Sequence, residues 1–88
     1  MSRVRVEFFG LARSRSGVEA FELNAATLGD VINHLTERFP ALAQTCFPDG
    51  TISSHWLFSL NGRDFTRQDS TELADGDVLL LLSADAGG

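Results

Sequence analysis

The residues with the clearest chemical potential are Gly87 and Gly88, reached from Val78-Leu-Leu-Leu-Leu82 through Ser83-Ala-Asp-Ala86. Without Cβ atoms, a glycine pair adopts backbone angles closed to other residues and lets a second chain approach closely. A carboxylate on Gly88 is therefore an unhindered acyl group. The five apolar residues follow a turn signal, Asp75-Gly76-Asp77, and read as a buried strand. Residues 83–88, fully extended at about 3.3 Å each, span roughly 20 Å. That length can place a carboxylate inside another protein while the body docks outside. Composition alone describes an ordinary frayed end just as well, so the rest of the chain has to decide.

Other candidates for chemistry are weaker. His34 and His55 are paired neither with each other nor with a carboxylate at metal-ligand spacing, and read as surface histidines. Cys46 reads as a small apolar residue, with no basic neighbour in sequence to lower its pKa for a persulfide relay. Asp75 and Asp77 flank a glycine, and turn chemistry accounts for them. No Ser/His/Asp order and no phosphate-cradling glycine loop is present. The expectation is a carried substrate rather than an enzyme, with no metal and no bound cofactor.

The totals narrow the classes further. A chain of 88 residues makes one domain with a modest core. A single cysteine excludes an internal disulfide and a multi-cysteine metal site. The net charge of −5 argues against a sequence-independent grip on nucleic acid. All seven basic residues are arginines. With no lysine, no side chain can form a Schiff base or accept an isopeptide bond. Met1-Ser-Arg-Val-Arg5 has no apolar stretch behind it to make a signal peptide, and a five-residue apolar run is too short to span a bilayer. The cytoplasm is the expected compartment, with no membrane partner.

The elements that must position the tail follow from periodicity. Arg3–Phe8 alternates polar and apolar, with Val4, Val6 and Phe8 on one face and Phe9 on the other, which predicts a strand. Gly10–Gly17 reads as a connecting turn, and Val18–Leu23 as a second strand that closes a hairpin. Thr27-Leu-Gly-Asp30 opens a helix, Thr27 capping backbone N–H groups and Asp30 suiting the positive helix end. Leu28, Val31, Ile32, Leu35 and Phe39 form its apolar stripe. Pro40 ends it, Ala41–Gln44 forms a short turn, and Cys46–His55 is a loop. Trp56–Leu60 is a third strand, followed by the hairpin signal Asn61-Gly62 and a brief strand at Phe65-Thr66. Arg67–Thr71 is irregular, and Leu73–Asp77 leads into the terminal strand. The expectation is an α+β protein: a mixed four- to five-stranded sheet, first and last strands central, one main helix on one face. That is a β-grasp layout, with a domain over residues 1–82 and a flexible tail over residues 83–88.

This combination resembles the ubiquitin-like sulfur carriers: the small subunit of molybdopterin synthase, the thiamine-thiazole sulfur carrier, and the sulfur carrier of a cysteine-synthase pathway. The Thr27-Leu-Gly-Asp30 helix start, Leu60-Asn61, Leu73-Ala-Asp-Gly-Asp77, the apolar strand and Gly87-Gly88 carry the resemblance together, over the whole chain. The resemblance implies that an ATP-dependent, E1-like adenylating enzyme activates the Gly88 carboxylate. Sulfur then converts it to a thiocarboxylate, which a biosynthetic enzyme accepts. Gly87 gives access. Many members carry prolines where this chain has Ser83-Ala84-Asp85, so the acceptor pathway (molybdopterin, thiamine, cysteine or another) stays open. The alternative of a different class is a ubiquitin-like modifier joined through Gly88 to lysines of other proteins.

One surface expectation follows from strand parity. If Leu79 and Leu81 face the helix, Leu80 and Leu82 face away, with Phe9 and Phe65 beside them. Such an uncovered apolar patch on a small protein marks a partner-binding site. Asp85, with Glu72, Asp75 and Asp77, adds an acidic rim that suits a basic partner surface. Reversed parity, or residues 46–55 folded over this face, would remove the patch.

Overall fold

The computed structural model describes residues 1–84. Alternation of apolar and charged residues builds β1 (Ser2–Phe8), whose Val4, Val6 and Phe8 are buried while Arg3 and Arg5 face solvent. It pairs antiparallel with β2 (Ala20–Ala25) and parallel with β5 (Val78–Ser83). On the other side of β5, antiparallel β3 (Trp56–Leu60) pairs with β4 (Asp64–Thr66). The sheet is mixed, five-stranded and ordered β2-β1-β5-β3-β4, with the expected central pair. The architecture is an α+β β-grasp fold.

The main helix, α2 (Leu28–Arg38), packs Leu28, Val31, Ile32 and Leu35 on the sheet. Its first N–H groups all find acceptors, as a buried helix start requires. Those of Leu28 and Gly29 donate to the carbonyls of Thr71 and Asp69, both at 2.9 Å. That of Asp30 donates to Thr27 Oγ1 at 3.4 Å. Asp30 Oδ2 in turn accepts from the N–H groups of Ala26 and Thr27, at 3.0 and 3.2 Å. This capping box holds the Asp30 carboxyl below its ordinary pKa, the Ala26 and Thr27 backbone bonds being the leading cause. Gly29 belongs to the same junction, because a Cβ there would lie 3.4 Å from the Asp69 carbonyl oxygen.

Two readings of the sequence need correction. Residues 10–17 are not a turn but a short helix, α1 (Gly10–Ser16), with Ala12 fully buried. It stops at Gly17, whose φ of 78° suits a residue without Cβ and whose N–H donates to the Arg13 carbonyl at 2.8 Å. Polar Arg-Ser-Arg-Ser is the solvent side of this helix, and it delays β2 to Ala20, leaving Val18 outside the strand. The expected short turn after Pro40 is a full helix, α3 (Pro40–Cys46), with proline at its first position and Leu42, Ala43 and Cys46 buried. Residues 47–55 are irregular as expected; Phe47 and Ile52 pack on the core, Phe47 stacking on Phe58 with ring centroids 6.1 Å apart. No helix among the described residues is long and apolar enough to cross a membrane.

Candidate functional site: the outer sheet face and the root of the tail

The turn before β5 fixes where the last strand starts. Gly76 has φ 87°, and its N–H donates to the Arg3 carbonyl at 2.9 Å. Asp75 Oδ1 accepts the Arg3 N–H at 2.7 Å, and Asp77 Oδ2 accepts the Ala74 N–H at 2.8 Å. Asn61, at φ 55°, closes the β3–β4 turn and reaches across to β5. Its Oδ1 accepts the Val78 N–H at 2.8 Å and its Nδ2 donates to Asp77 Oδ1 at 2.9 Å. The two aspartates are thus engaged in backbone geometry, and together with Asn61 they lock the start of β5 to β1 and β3.

From that anchor, β5 alternates. Leu79 and Leu81 are fully buried in the core, whereas Val78, Leu80 and Leu82 are half-buried on the opposite face. Across the strands, Leu80 lies opposite Ser59, and Ser59 opposite Phe65; Leu82 lies opposite Leu57. Ser59 is buried between its larger neighbours, so the outer face dips there. Phe65 stands 72% exposed at the β4 edge and Phe9 48% exposed at the start of α1. At the end of β5 a hollow of about 310 Å³ is lined by Phe9, Leu11 and Leu82 together with Trp56, Leu81 and Ser83 of the helix-side parity, so it wraps the end of the sheet. A second hollow, of about 360 Å³, lies over Leu57, Phe65 and Arg67. Leu82 of the first hollow lies opposite Leu57 of the second. The structure therefore brings Phe9 to the same hollow as Leu82 and sets Leu80 and Phe65 on either side of Ser59, while Phe47 and Ile52 of the preceding loop pack on the core. Gly87, Gly88 and Asp85 lie outside the described residues.

The other half of the same face is charged but internally matched. Arg5 meets Glu7 at 3.0 Å and Glu22 at 3.4 Å, and Arg13 meets Glu19 at 3.0 Å. These solvent-exposed pairs add little stability. They leave the apolar strip over β5, β3 and β4 as the face's distinctive feature.

Sequence reasoning missed Leu57 as part of this surface, and Leu11 and Trp56 as lining of the hollow at the end of β5. Leu57 was readable, since Trp56-Leu-Phe-Ser-Leu60 puts one large apolar residue on the face opposite Trp56 and Phe58. Leu11 required knowing that residues 10–16 coil. Of the weaker chemical candidates, Cys46 is buried and desolvation pushes its thiol up to about 12, so it is neutral and unreactive at physiological pH. His34 and His55 are exposed, His34 on α2 and His55 just before β3. No three His, Cys, Asp or Glu residues among the described ones converge as metal ligands.

Comparison with known proteins places this geometry. Small archaeal modifier protein 3 of Haloferax volcanii is 35% identical over 65 residues, covering 72% of this chain and 71% of that protein. Small archaeal modifier protein 1 of Methanosarcina acetivorans superposes with a TM-score of 0.85 at 26% identity, covering 100% of this chain and 98% of that one. In the complex of subunits 1 and 2 of the molybdopterin-converting factor from Helicobacter pylori, the matching chain gives a TM-score of 0.69 at 27% identity, with 98% and 99% covered. The ThiS family matches residues 6–88, which takes in the end of β1, the capping box, the Asn61–Asp77 clasp, β5 and the Gly-Gly pair. The chain belongs to the ThiS family of ubiquitin-like sulfur carriers.

Proposed function

We propose that this protein is a cytoplasmic sulfur carrier that works as a co-substrate of two enzymes and is not itself a catalyst. An adenylating, E1-like enzyme docks on the outer sheet face and takes the tail into its active site. There the Gly88 carboxylate attacks the α-phosphorus of ATP, releasing pyrophosphate and leaving an acyl-adenylate. A sulfide-level sulfur attacks the acyl carbon, AMP leaves, and a thiocarboxylate remains. The thiocarboxylate is an anion at neutral pH, and such anions, not their protonated forms, are the nucleophiles. The charged carrier then docks on a biosynthetic enzyme through the same face and delivers the sulfur.

The observation that carries this reading is the family match over residues 6–88, which includes the Gly87-Gly88 pair with its unhindered acyl group. The apolar strip supports it, because it ends at the root of the tail. A body docked there feeds the tail directly into its partner. ATP–pyrophosphate exchange with the activating enzyme tests the first step. Exchange should depend on the full chain and vanish when Gly87 and Gly88 are removed; exchange that survives the deletion would overturn the assignment.

The likeness to small archaeal modifier protein 3 supports a second reading, attachment of Gly88 to lysines of other proteins. Both readings share the adenylation step. Having no lysine, this chain cannot be extended by side-chain links between its own copies. Conjugation would therefore give single attachments.

A further inference from the structure

Arg67 stands just after β4, in the irregular stretch that carries no motif. Its guanidinium donates through Nε to the Trp56 carbonyl at 2.7 Å and through Nη2 to the Ser54 carbonyl at 3.2 Å. The residue between them is His55, and the His55 carbonyl accepts the N–H of Ala84 at 2.7 Å. That bond extends the β3–β5 ladder one step past the Trp56–Ser83 pair. It is the last backbone contact of the described chain before the tail. Clamp and tail root therefore share three consecutive residues.

The clamp is itself firmly held. Thr66 Oγ1 accepts the Gln68 N–H at 3.1 Å and bonds Thr71 Oγ1 at 2.8 Å. Asp69 and Thr71 supply the carbonyls that receive the first N–H groups of α2. Hydrogen bonds thus tie residues 66–71 to the start of the main helix and Arg67 to Ser54 and Trp56, and one peptide unit of backbone on either side links that fork to the His55 carbonyl that holds Ala84. No carboxylate among the described residues pairs with Arg67, so no ion pair competes for its donors. A guanidinium fork reaches two acceptors at once in a fixed geometry, which a lysine ammonium cannot reproduce.

We infer that Arg67 is a positioning residue for the reactive tail: by fixing the carbonyls on either side of His55, it sets the direction in which the chain leaves β5 toward a partner's active site. The geometry is independent of the carrier reading, and the functional consequence rests on it. Loss of the fork leaves the local turn in place, because the Trp56 N–H still donates to the Ser53 carbonyl and the His55 N–H to Ser53 Oγ. The body should therefore fold while the tail root loosens.

Two measurements on Arg67→Ala and Arg67→Lys decide this. In amide hydrogen exchange, protection of Ala84 should fall about tenfold in both variants, the scale of one charge-assisted hydrogen bond, while Leu81 in the middle of β5 stays unchanged. In ATP–pyrophosphate exchange at saturating carrier, kcat should fall about tenfold in both variants, a readout separate from any change in KM that follows from losing Arg67 at the rim of the second hollow. Unchanged Ala84 protection would overturn the inference. So would a loss that includes Leu81, which would mean general loosening, or wild-type activation kinetics despite a freed Ala84. A wild-type protein that supports no exchange at all would count against the carrier reading, and the Ala84 amide would then decide the clamp alone.

Discussion

Leu82 is where the docking account is most exposed to test. It is half-buried on the outer face, opposite Leu57, and lines the hollow with Phe9, Leu11 and Trp56. Complete burial of a leucine side chain contributes about 1.5–3 kcal/mol, and docking can add only the part still exposed, about 1 kcal/mol. Leu82→Ala should therefore weaken binding to the activating enzyme about fivefold. Leu82→Glu adds an unpaired carboxylate to a desolvated interface, at a cost of several kcal/mol, so binding should fall by roughly a thousandfold or more. The fold should survive, because the Leu82–Leu57 pair contributes only about 0.2–1 kcal/mol as a cross-strand contact. The melting temperature should drop by only a few degrees, at about 4–8 °C per kcal/mol for a domain of this size. Leu81→Ala provides the contrast: it empties a fully buried site and should destabilise by about 2–5 kcal/mol. Calorimetric titration with the activating enzyme, alongside thermal melts, reads both quantities. Wild-type affinity in a folded Leu82→Glu variant would refute the docking face. Should that variant fail to fold, fivefold weaker binding in Leu82→Ala still separates the outcomes.

Three other consequences follow from the same structure. Asn61→Ala removes two hydrogen bonds of the β3–β5 clasp and puts alanine at a positive φ, so thermal melts should show a loss of about 2–3 kcal/mol, with Asn61→Gly recovering about 1 of it. The Cys46 thiol, with its pKa raised to about 12, should resist iodoacetamide at pH 8 in the native protein and react promptly in denaturant; fast native alkylation would contradict its burial. Asp30 has a lowered pKa, so its contribution to stability is present above the ordinary value of 3.8 and lost as pH falls through the lower folded-state value. Urea titrations of Asp30→Asn should show a smaller acid-side loss than wild type, and an unchanged acid limb would argue against the capping box.

Sequence reasoning went furthest where pattern and turn chemistry agree. The alternation in β1, the Thr27–Asp30 box, the Asn61-Gly62 turn and the Asp75-Gly76-Asp77 turn each name their own conformation, and each forms. The parity of β5 was conditional on which face met the helix, and the burial of Leu79 and Leu81 resolves it. Two short helices were hidden for different reasons. In α1, five of seven residues are polar or glycine and only Ala12 is buried, so no apolar stripe appears. In α3, Pro40 looked like a stop, although at the first helical position it serves as a start. Arg67 was unreadable, because its partners are backbone carbonyls 11 and 13 residues away. Such partners leave no mark on residue type.

The central claim concerns one atom of the Gly88 carboxylate. Intact-mass measurement after incubation with ATP, sulfide and the activating enzyme tests it directly. The account predicts a gain equal to the replacement of one oxygen by sulfur, confined to the C-terminal peptide and absent without ATP. An unchanged mass under conditions where the acyl-adenylate forms, or a stable amide to a target lysine in its place, would contradict it.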